Sequence, residues 1–368
     1  MQRVRITADN DLDDDTTWRY KLPSLGKYTA FELVVDSQRG NTRTDIDAVH
    51  TLENCISKIE LLAGGARALL SLTGTQIDAM NYWDLKRPNA RRYRQADETG
   101  NKNLFFLMGG RDLYDERYGW DMAKLGETYL EYTYDLGEND TDYFEADQHN
   151  VKLYGYRWMG PGEPNFMGYL RSRQLAAWTT SASDALKTIA IPVGNPVRRI
   201  AVQAKTRGCS LGGAFDELEV RCNEGEYSPV IVKSMFDWIL AEVAEYNLHN
   251  AVGGMDYAVS TFVNDLPYWW GAYGNVVLTS YQSGGALDYE VSGITLPARF
   301  LTPATGNREV SFVSHGYGFQ KCLRIGFDHD PDGFDLLQTG QLGSLDLLVT
   351  EGAQDKAVAM FVQDIVSY

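Results

Sequence analysis

Three groups of residues in this chain have types and spacings that could do chemistry. Gly208-Cys209-Ser210-Leu211-Gly212 matches G-x-S-x-G, the turn that exposes a serine nucleophile between a strand and a helix. A strand precedes it here, but Ala214 to Cys222 alternates as another strand and the five histidines are scattered. A hairpin turn is therefore the simpler reading. Asp328-His329-Asp330-Pro331-Asp332-Gly333 has the D-x-D-x-D-G opening of a calcium loop, in which clustered carboxylates suit a hard cation. Asp328, Asp330 and Asp332 are its candidate ligands, but the acidic residue expected at the end of such a loop is replaced by Thr339, so a solvated acidic turn competes with calcium. The stretch Arg111 to Glu116 is acidic in the same way. Third, Pro267-Tyr268-Trp269-Trp270-Gly271-Ala272-Tyr273 is dense in aromatics, and Tyr268, Trp269, Trp270 and Tyr273 could stack on sugars if exposed. Packing within a loop or between subunits is the other use for such rings. No metalloprotease, P-loop or clean dinucleotide signature is present, so no catalytic residue is assigned and calcium is the one cofactor to consider.

The composition sets bounds on function. With 368 residues, two domains are a better starting point than one. A formal net charge of -16 argues against broad nucleic-acid binding, which needs a lysine and arginine surface. Hydrophobic residues make up 44% of the chain, yet no stretch of about 18 uninterrupted apolar residues offers a membrane span. The first twenty residues run from early arginines into Asp9, Asp11, Asp13, Asp14 and Asp15, which is unlike a secretory signal. Cys55, Cys209, Cys222 and Cys322 lack C-x-x-C spacing and read as buried free thiols.

The elements that must position these residues are mostly strands. Runs rich in β-branched and aromatic residues recur at Tyr28 to Val35, Tyr129 to Tyr134, Val151 to Trp158, Arg199 to Ala204, Asn275 to Ser280 and Glu309 to Val313. Turn clusters separate them, among them Gly160-Pro161-Gly162-Glu163-Pro164. The clearest helix runs from Ser234 to about Tyr246, with Phe236, Ile239, Leu240 and Val243 on one face and a Ser234/Asp237 capping pattern. Strands broken by turns, without alternating helices, predict an all-β sandwich or barrel.

An internal repeat organises these strands. At a spacing of about 159 residues, Ile59-Glu60-Leu61, Gly64-Gly65, Leu69 to Leu72 and Thr75 to Met80 run in ungapped register against Leu218-Glu219-Val220, Asn223-Glu224-Gly225, Val230 to Val232 and Ser234 to Ile239. Both copies read strand, tight turn, strand, capped helix. Later in each copy, Gly119-Trp120-Asp121-Met122 and Leu125 to Leu130 are echoed by Gly333-Phe334-Asp335-Leu336 and Leu342 to Leu347. Two blocks in the same order predict a duplicated domain, with the boundary near the turn at Gly160 to Pro164. The first unit then spans 1–165 with an N-terminal arm, and the second spans 166–368. The second carries a longer loop insertion around 247–300, a candidate outward projection.

Ile56 to Gly65 followed by Leu70 to Ile77, Gly110-Arg111 leading to Glu131-Tyr132-Thr133-Tyr134-Asp135, and Asn195-Pro196-Val197-Arg198-Arg199-Ile200-Ala201-Val202 give the chain a family likeness. It resembles the double jelly-roll major capsid proteins of tailless, often membrane-containing icosahedral viruses, including bacteriophages. The resemblance spans most of the chain and implies two tandem jelly-roll domains with short helices in their connections. It also implies a non-enzymatic subunit of the virion shell, assembled in the host cytoplasm as a homotrimer. Its partners would be neighbouring trimers, penton and minor capsid proteins, and an internal lipid membrane. A carbohydrate-binding or carbohydrate-active β-sandwich using Trp269 and Trp270 is the alternative.

Overall fold

The computed structural model describes residues 1–12, 16–39, 51–86, 91–92, 100–136, 144–206, 209–246, 249–257, 273–282, 285–292, 308–317, 319–328 and 336–368. Its first half is built from β1 (Gln2–Arg5), β2 (Asn10–Leu12), β3 (Thr17–Lys21), β4 (Lys27–Arg39), α1 (Leu52–Cys55), β5 (Lys58–Ala63), β6 (Arg67–Leu72), α2 (Gly74–Leu85), β7 (Arg91–Arg92), β8 (Gly100–Met108), β9 (Trp120–Asp121), α3 (Met122–Leu125), β10 (Thr128–Thr133) and β11 (Phe144–Trp158). The second half comprises β12 (Gly168–Thr179), β13 (Leu186–Ala190), β14 (Val197–Ala204), α4 (Leu211–Ala214), β15 (Phe215–Cys222), β16 (Tyr227–Val232), α5 (Met235–Tyr246), β17 (His249–Tyr257), β18 (Tyr273–Gln282), β19 (Gly285–Ser292), β20 (Arg308–Tyr317), β21 (Cys322–Gly326), β22 (Leu345–Glu351) and β23 (Ala357–Ser367).

The halves repeat each other strand for strand. One sheet of the first half runs β1-β11-β4-β8, and its counterpart in the second runs β12-β23-β14-β21. Facing them are β3-β10-β5-β6 and β13-β22-β15-β16. The helices repeat too: α1 and α4 precede β5 and β15, and α2 and α5 follow β6 and β16. Even the register agrees, since Leu130 pairs with Leu61 in the first copy and Leu347 pairs with Val220 in the second, the positions matched by the sequence repeat.

The ungapped alignment of the hairpins needs two corrections. Three residues, 64–66, join β5 to β6, whereas four, 223–226, join β15 to β16. Gly64 and Gly65 both sit in the left-handed region (φ 61° and 78°), which glycine enters without a Cβ penalty. The second insertion precedes the helix. Thr73 caps α2 reciprocally with Gln76, and the equivalent cap of α5 is Ser234, whose Oγ accepts from the Asp237 N–H at 3.2 Å. The cap of the first copy is therefore Thr73 rather than Thr75. Residues 2–12 also differ from expectation: instead of an arm they form β1 and β2, which lie end to end along β11.

Alternation along the strands decides what is buried. β10 and β22 bury every second residue, as expected when one sheet face meets the core. Leu33, Val35, Leu61, Phe105, Leu130 and Leu153 fill the space between the first pair of sheets. Ile200, Val202, Leu218, Val220, Leu347, Met360 and Val362 do so between the second. All eight residues of β14 are buried, because its two faces serve different cores. Ile200, Val202 and Ala204 point into the second core, while Ala201 joins the first. What covers that outer face is α2, whose Tyr82 and Trp83 stack on Phe319 (5.0 Å) and Phe361 (6.3 Å).

Between α5 and β21, where the first copy has only the segment joining α2 to β8, the second copy inserts β17 to β20. They form a separate antiparallel sheet in the order β17-β20-β18-β19. Three of these strands, β17 to β19, fall within the long insertion read from the sequence, and the fourth, β20, lies beyond its end at 300.

Candidate functional site: the junction of the two units

The halves are joined by backbone as well as by side chains. Strand β12 of the second half lies between its own β23 and β6 of the first, and pairs with β6 in parallel through Ser172/Leu70 and Arg173/Ser71. The two half-sheets become one eight-stranded sheet. At the same place the first turn of α2 contacts the second half. Gln76 Nε2 donates to Gln174 Oε1 at 2.7 Å, and Gln203 Nε2 donates to Thr75 Oγ1 at 3.1 Å. Deeper in, Gln320 donates to Asp78.

A buried ionic cluster closes the other end of α2. Asp84 lies in its last turn, which contains no basic residue, so its charge adds unfavourably to the negative end of the helix dipole. Two arginines from β14 answer it. Arg198 Nη1 and Arg199 Nη2 both donate to Asp84 Oδ1, at 2.8 and 2.6 Å. Arg198 also donates from Nε to Asp328 and from Nη1 to Gln363. Arg324 and Arg199 lie 3.7 and 3.8 Å from the Asp328 carboxylate. Burial disfavours the charged form of Arg198, but Asp84 and Asp328 together outweigh it and raise its pKa. For Arg199, burial and the neighbouring Arg198 win, and its pKa falls. Asp328 is held below its ordinary value because three guanidinium groups overcome the cost of its burial.

This arrangement determines what the sequence-derived candidates can do. Asp328 is committed to arginines, and a divalent cation there would face their positive charge. Asp330 and Asp332 lie outside the described residues, as do Tyr268, Trp269 and Trp270; Tyr273 opens β18. Among the described residues no group of three or more His, Cys, Asp or Glu is placed to hold a metal. In the corresponding acidic stretch of the first half, Asp115 is turned onto its own loop and accepts from the N–H groups of Arg111, Arg117 and Tyr118. With Asp328 neutralised, we expect neither calcium nor a chelator to shift the thermal midpoint. A fall in that midpoint on chelation, reversed by calcium, would show that the loop holds the ion.

Ser210 is a helix cap and not an elbow nucleophile. Its Oγ accepts from Gly213 N–H at 3.0 Å, and α4, the helix it caps, has four residues. The four cysteines are buried and free. A serine–histidine pair does exist elsewhere, unforeseen from the sequence: Ser37 Oγ bonds His149 Nδ1, and Tyr132 OH lies 3.0 Å from Nε2. All three residues are buried in the first core, out of reach of any substrate.

Two fused eight-strand sandwiches with this repeated order make the chain a double jelly roll. No protein-family model and no curated protein sequence matches it. Three solved structures of that fold are similar along nearly their whole length. The major capsid protein of Sulfolobus turreted icosahedral virus superposes with a TM-score of 0.60 at 13% identity, over 98% of this chain and 95% of that one. The major capsid protein of bacteriophage PM2 gives 0.53 at 10% identity, over 100% and 98%. The capsid of the virus PBCV-1 gives 0.53 at 10% identity, over 99% and 92%. At these identities the likeness carries the fold.

Proposed function

We propose that the chain is the major capsid subunit of a tailless icosahedral virus, a structural protein of the virion without an enzymatic step. The observation that carries this reading is the strand-for-strand duplication within one chain, in a fold shared end to end with three capsid proteins. Two similar rolls per chain, taken three times about an axis, place six similar bodies around a centre. A homotrimer then presents a nearly hexagonal outline that can tile a shell. The division into rolls at 165/166 belongs to this reading, with the sheet of β17 to β20 as an addition to the second roll.

The wider partners follow from the same reading: neighbouring trimers, penton and minor capsid proteins, and an internal membrane met by one end of the rolls, with assembly in the host cytoplasm. A net charge of -16 leaves direct packaging of the genome to other components. Light scattering of the full chain in size-exclusion chromatography is expected to give three times the chain mass, and negative-stain images should show particles of hexagonal outline. A monomer at every concentration, without such particles, would sink the proposal.

A further inference from the structure

We propose that Phe319 to Lys321, the tight turn between β20 and β21, latch the inserted sheet of β17 to β20 to the junction of the two rolls, so that neither opens without the other. Gln320 and Lys321 both have left-handed backbone, at φ 55° and 52°, a conformation that a Cβ disfavours. The other adjacent pair of this kind among the described residues, Asn223 and Glu224, lies in the β15–β16 hairpin turn at the surface, where such residues are common. Gln320 and Lys321 are instead 3% and 6% exposed. A buried pair in this region persists only where its surroundings over-determine it.

What surrounds the turn comes from both rolls. On the first-roll side, Phe319 stacks on Tyr82 of α2, while the Gln320 amide nitrogen donates to Asp78 of α2 and reaches Glu53 Oε1 of α1 at 3.5 Å. Glu53 is tied in turn to β8, accepting from Asn103 Nδ2 at 3.0 Å. On the second-roll side, Gln203 Nε2 of β14 donates to the Gln320 carbonyl at 3.2 Å, and Lys321 Nζ donates to the Thr206 carbonyl at 3.0 Å. Gln203 also bonds Thr75 at the first turn of α2, so the strained turn and the contact between the rolls share a side chain.

The inserted sheet is therefore rooted in both rolls. The chain enters it through α5, whose Met235 and Ile239 lie in the second core, and leaves it through a turn seated on α1 and α2 of the first roll. Trp238 of α5 donates from Nε1 to the Arg324 carbonyl of β21 at 2.8 Å, which ties the entry to the strand that follows the exit. Within the sheet β20 pairs with both β17 and β18, so a rearrangement of the sheet acts on the turn through β20. Once Gln320 leaves Asp78, the left-handed pair has lost part of what holds it and relaxes, and Gln203 loses one of its two acceptors. Coupling of this kind is reciprocal: whatever tightens the inserted sheet tightens the junction by the same free energy.

Hydrogen exchange of the full chain, followed against urea, tests the coupling in the wild type. Amides of β20 and α2 are expected to exchange through one shared opening, with the same urea dependence, below the opening that exposes β10 and β22. Separate openings for β20 and α2, or a shared one met only on global unfolding, would show that no latch joins them. Gln320→Ala removes both side-chain amide contacts and keeps a Cβ on the left-handed backbone. It should speed exchange about tenfold in β20 and α2 alike and leave β10 and β22 unchanged. An acceleration confined to residues 319–322, or spread equally over β10 and β22, overturns the proposal as well. Should that variant not fold, the wild-type curves decide alone.

Discussion

Replacing Asp84 by asparagine should cost about 3–5 kcal/mol of folding stability, more than most single changes in a chain of this kind. The side chain keeps its shape and an oxygen acceptor, so any loss measures charge. The Asp84 side chain is fully buried, and those of the arginines it receives, Arg198 and Arg199, are 6% and 1% exposed. Removing one partner of a buried ionic group leaves the others uncompensated in a medium that solvates them poorly. The two arginines do not suffer equally. Arg198 retains Asp328 and Gln363, whereas Arg199 is left with a carboxylate at 3.8 Å. Its guanidinium would then rest mainly on the face of Trp83, 5.9 Å away. Adding Arg199→Met to Asp84→Asn is therefore expected to restore more stability than adding Arg198→Met. Urea denaturation of the singles and doubles, read as a mutant cycle, checks this order. A loss below about 1 kcal/mol for Asp84→Asn, within the range of solvated surface pairs, would show that water reaches the cluster.

The position of Asp84 gives that cluster its use. It joins the last turn of α2 in the first roll to β14 in the second, while β6 and β12 join them at the opposite end of the helix. Two separated attachments and an apolar centre at Tyr82/Phe319 and Trp83/Phe361 fix the angle between the rolls. In the proposed trimer, with six rolls around an axis, that angle would have to be constant.

Much of this architecture was legible because it is local. The hairpin, the cap and the alternation around Ile59 and Leu218 are written within a few residues of each other, and the equivalence of Leu130 and Leu347 is visible in the second repeated block. The two single-residue insertions escaped because extra residues in a turn, or before a cap, leave the strand pattern on either side intact. Residues 2–12 escaped for another reason. Their charges resemble a solvated arm, and only the length of β11 reveals that both β1 and β2 have a strand to pair with. The ionic cluster was out of reach altogether. Asp84 and Arg198 are 114 positions apart, and nothing near either residue announces that a helix of one roll will cover a strand of the other. The same holds for the partners of His149, which come from strands of both sheets.

That histidine carries the remaining large expectation, a loss of stability on acidification. His149 lies on β11 opposite Ser37 of β4, and its ring stacks on Tyr132 (5.8 Å) and meets Tyr134 at a tilt (4.4 Å). Burial pushes its pKa down from 6.5 to about 3. The hydroxyls of Ser37 and Tyr132 satisfy a neutral imidazole, with one ring nitrogen donating and the other accepting, but neither supplies a negative charge for an imidazolium. The Tyr132 hydroxyl is itself held far above its ordinary pKa by burial, so it stays protonated. The unfolded chain takes up a proton on this histidine below about pH 6.5 while the folded chain does not until about pH 3. Stability is therefore whole above 6.5 and falls through that window at about 1.4 kcal/mol per pH unit, reaching a loss of about 3 kcal/mol at pH 4.5. His149→Gln should be less stable than wild type at pH 7.5, because glutamine fits the two hydroxyls less well, yet it lacks this titration. The stability gap between the two proteins should then narrow steadily as the pH falls from 6.5, while carboxylates that titrate at lower pH act on both alike. Curves that stay parallel across the window, or an imidazole proton signal that titrates near 6.5 in the native protein, would mean that the ring takes up its proton without unfolding the core.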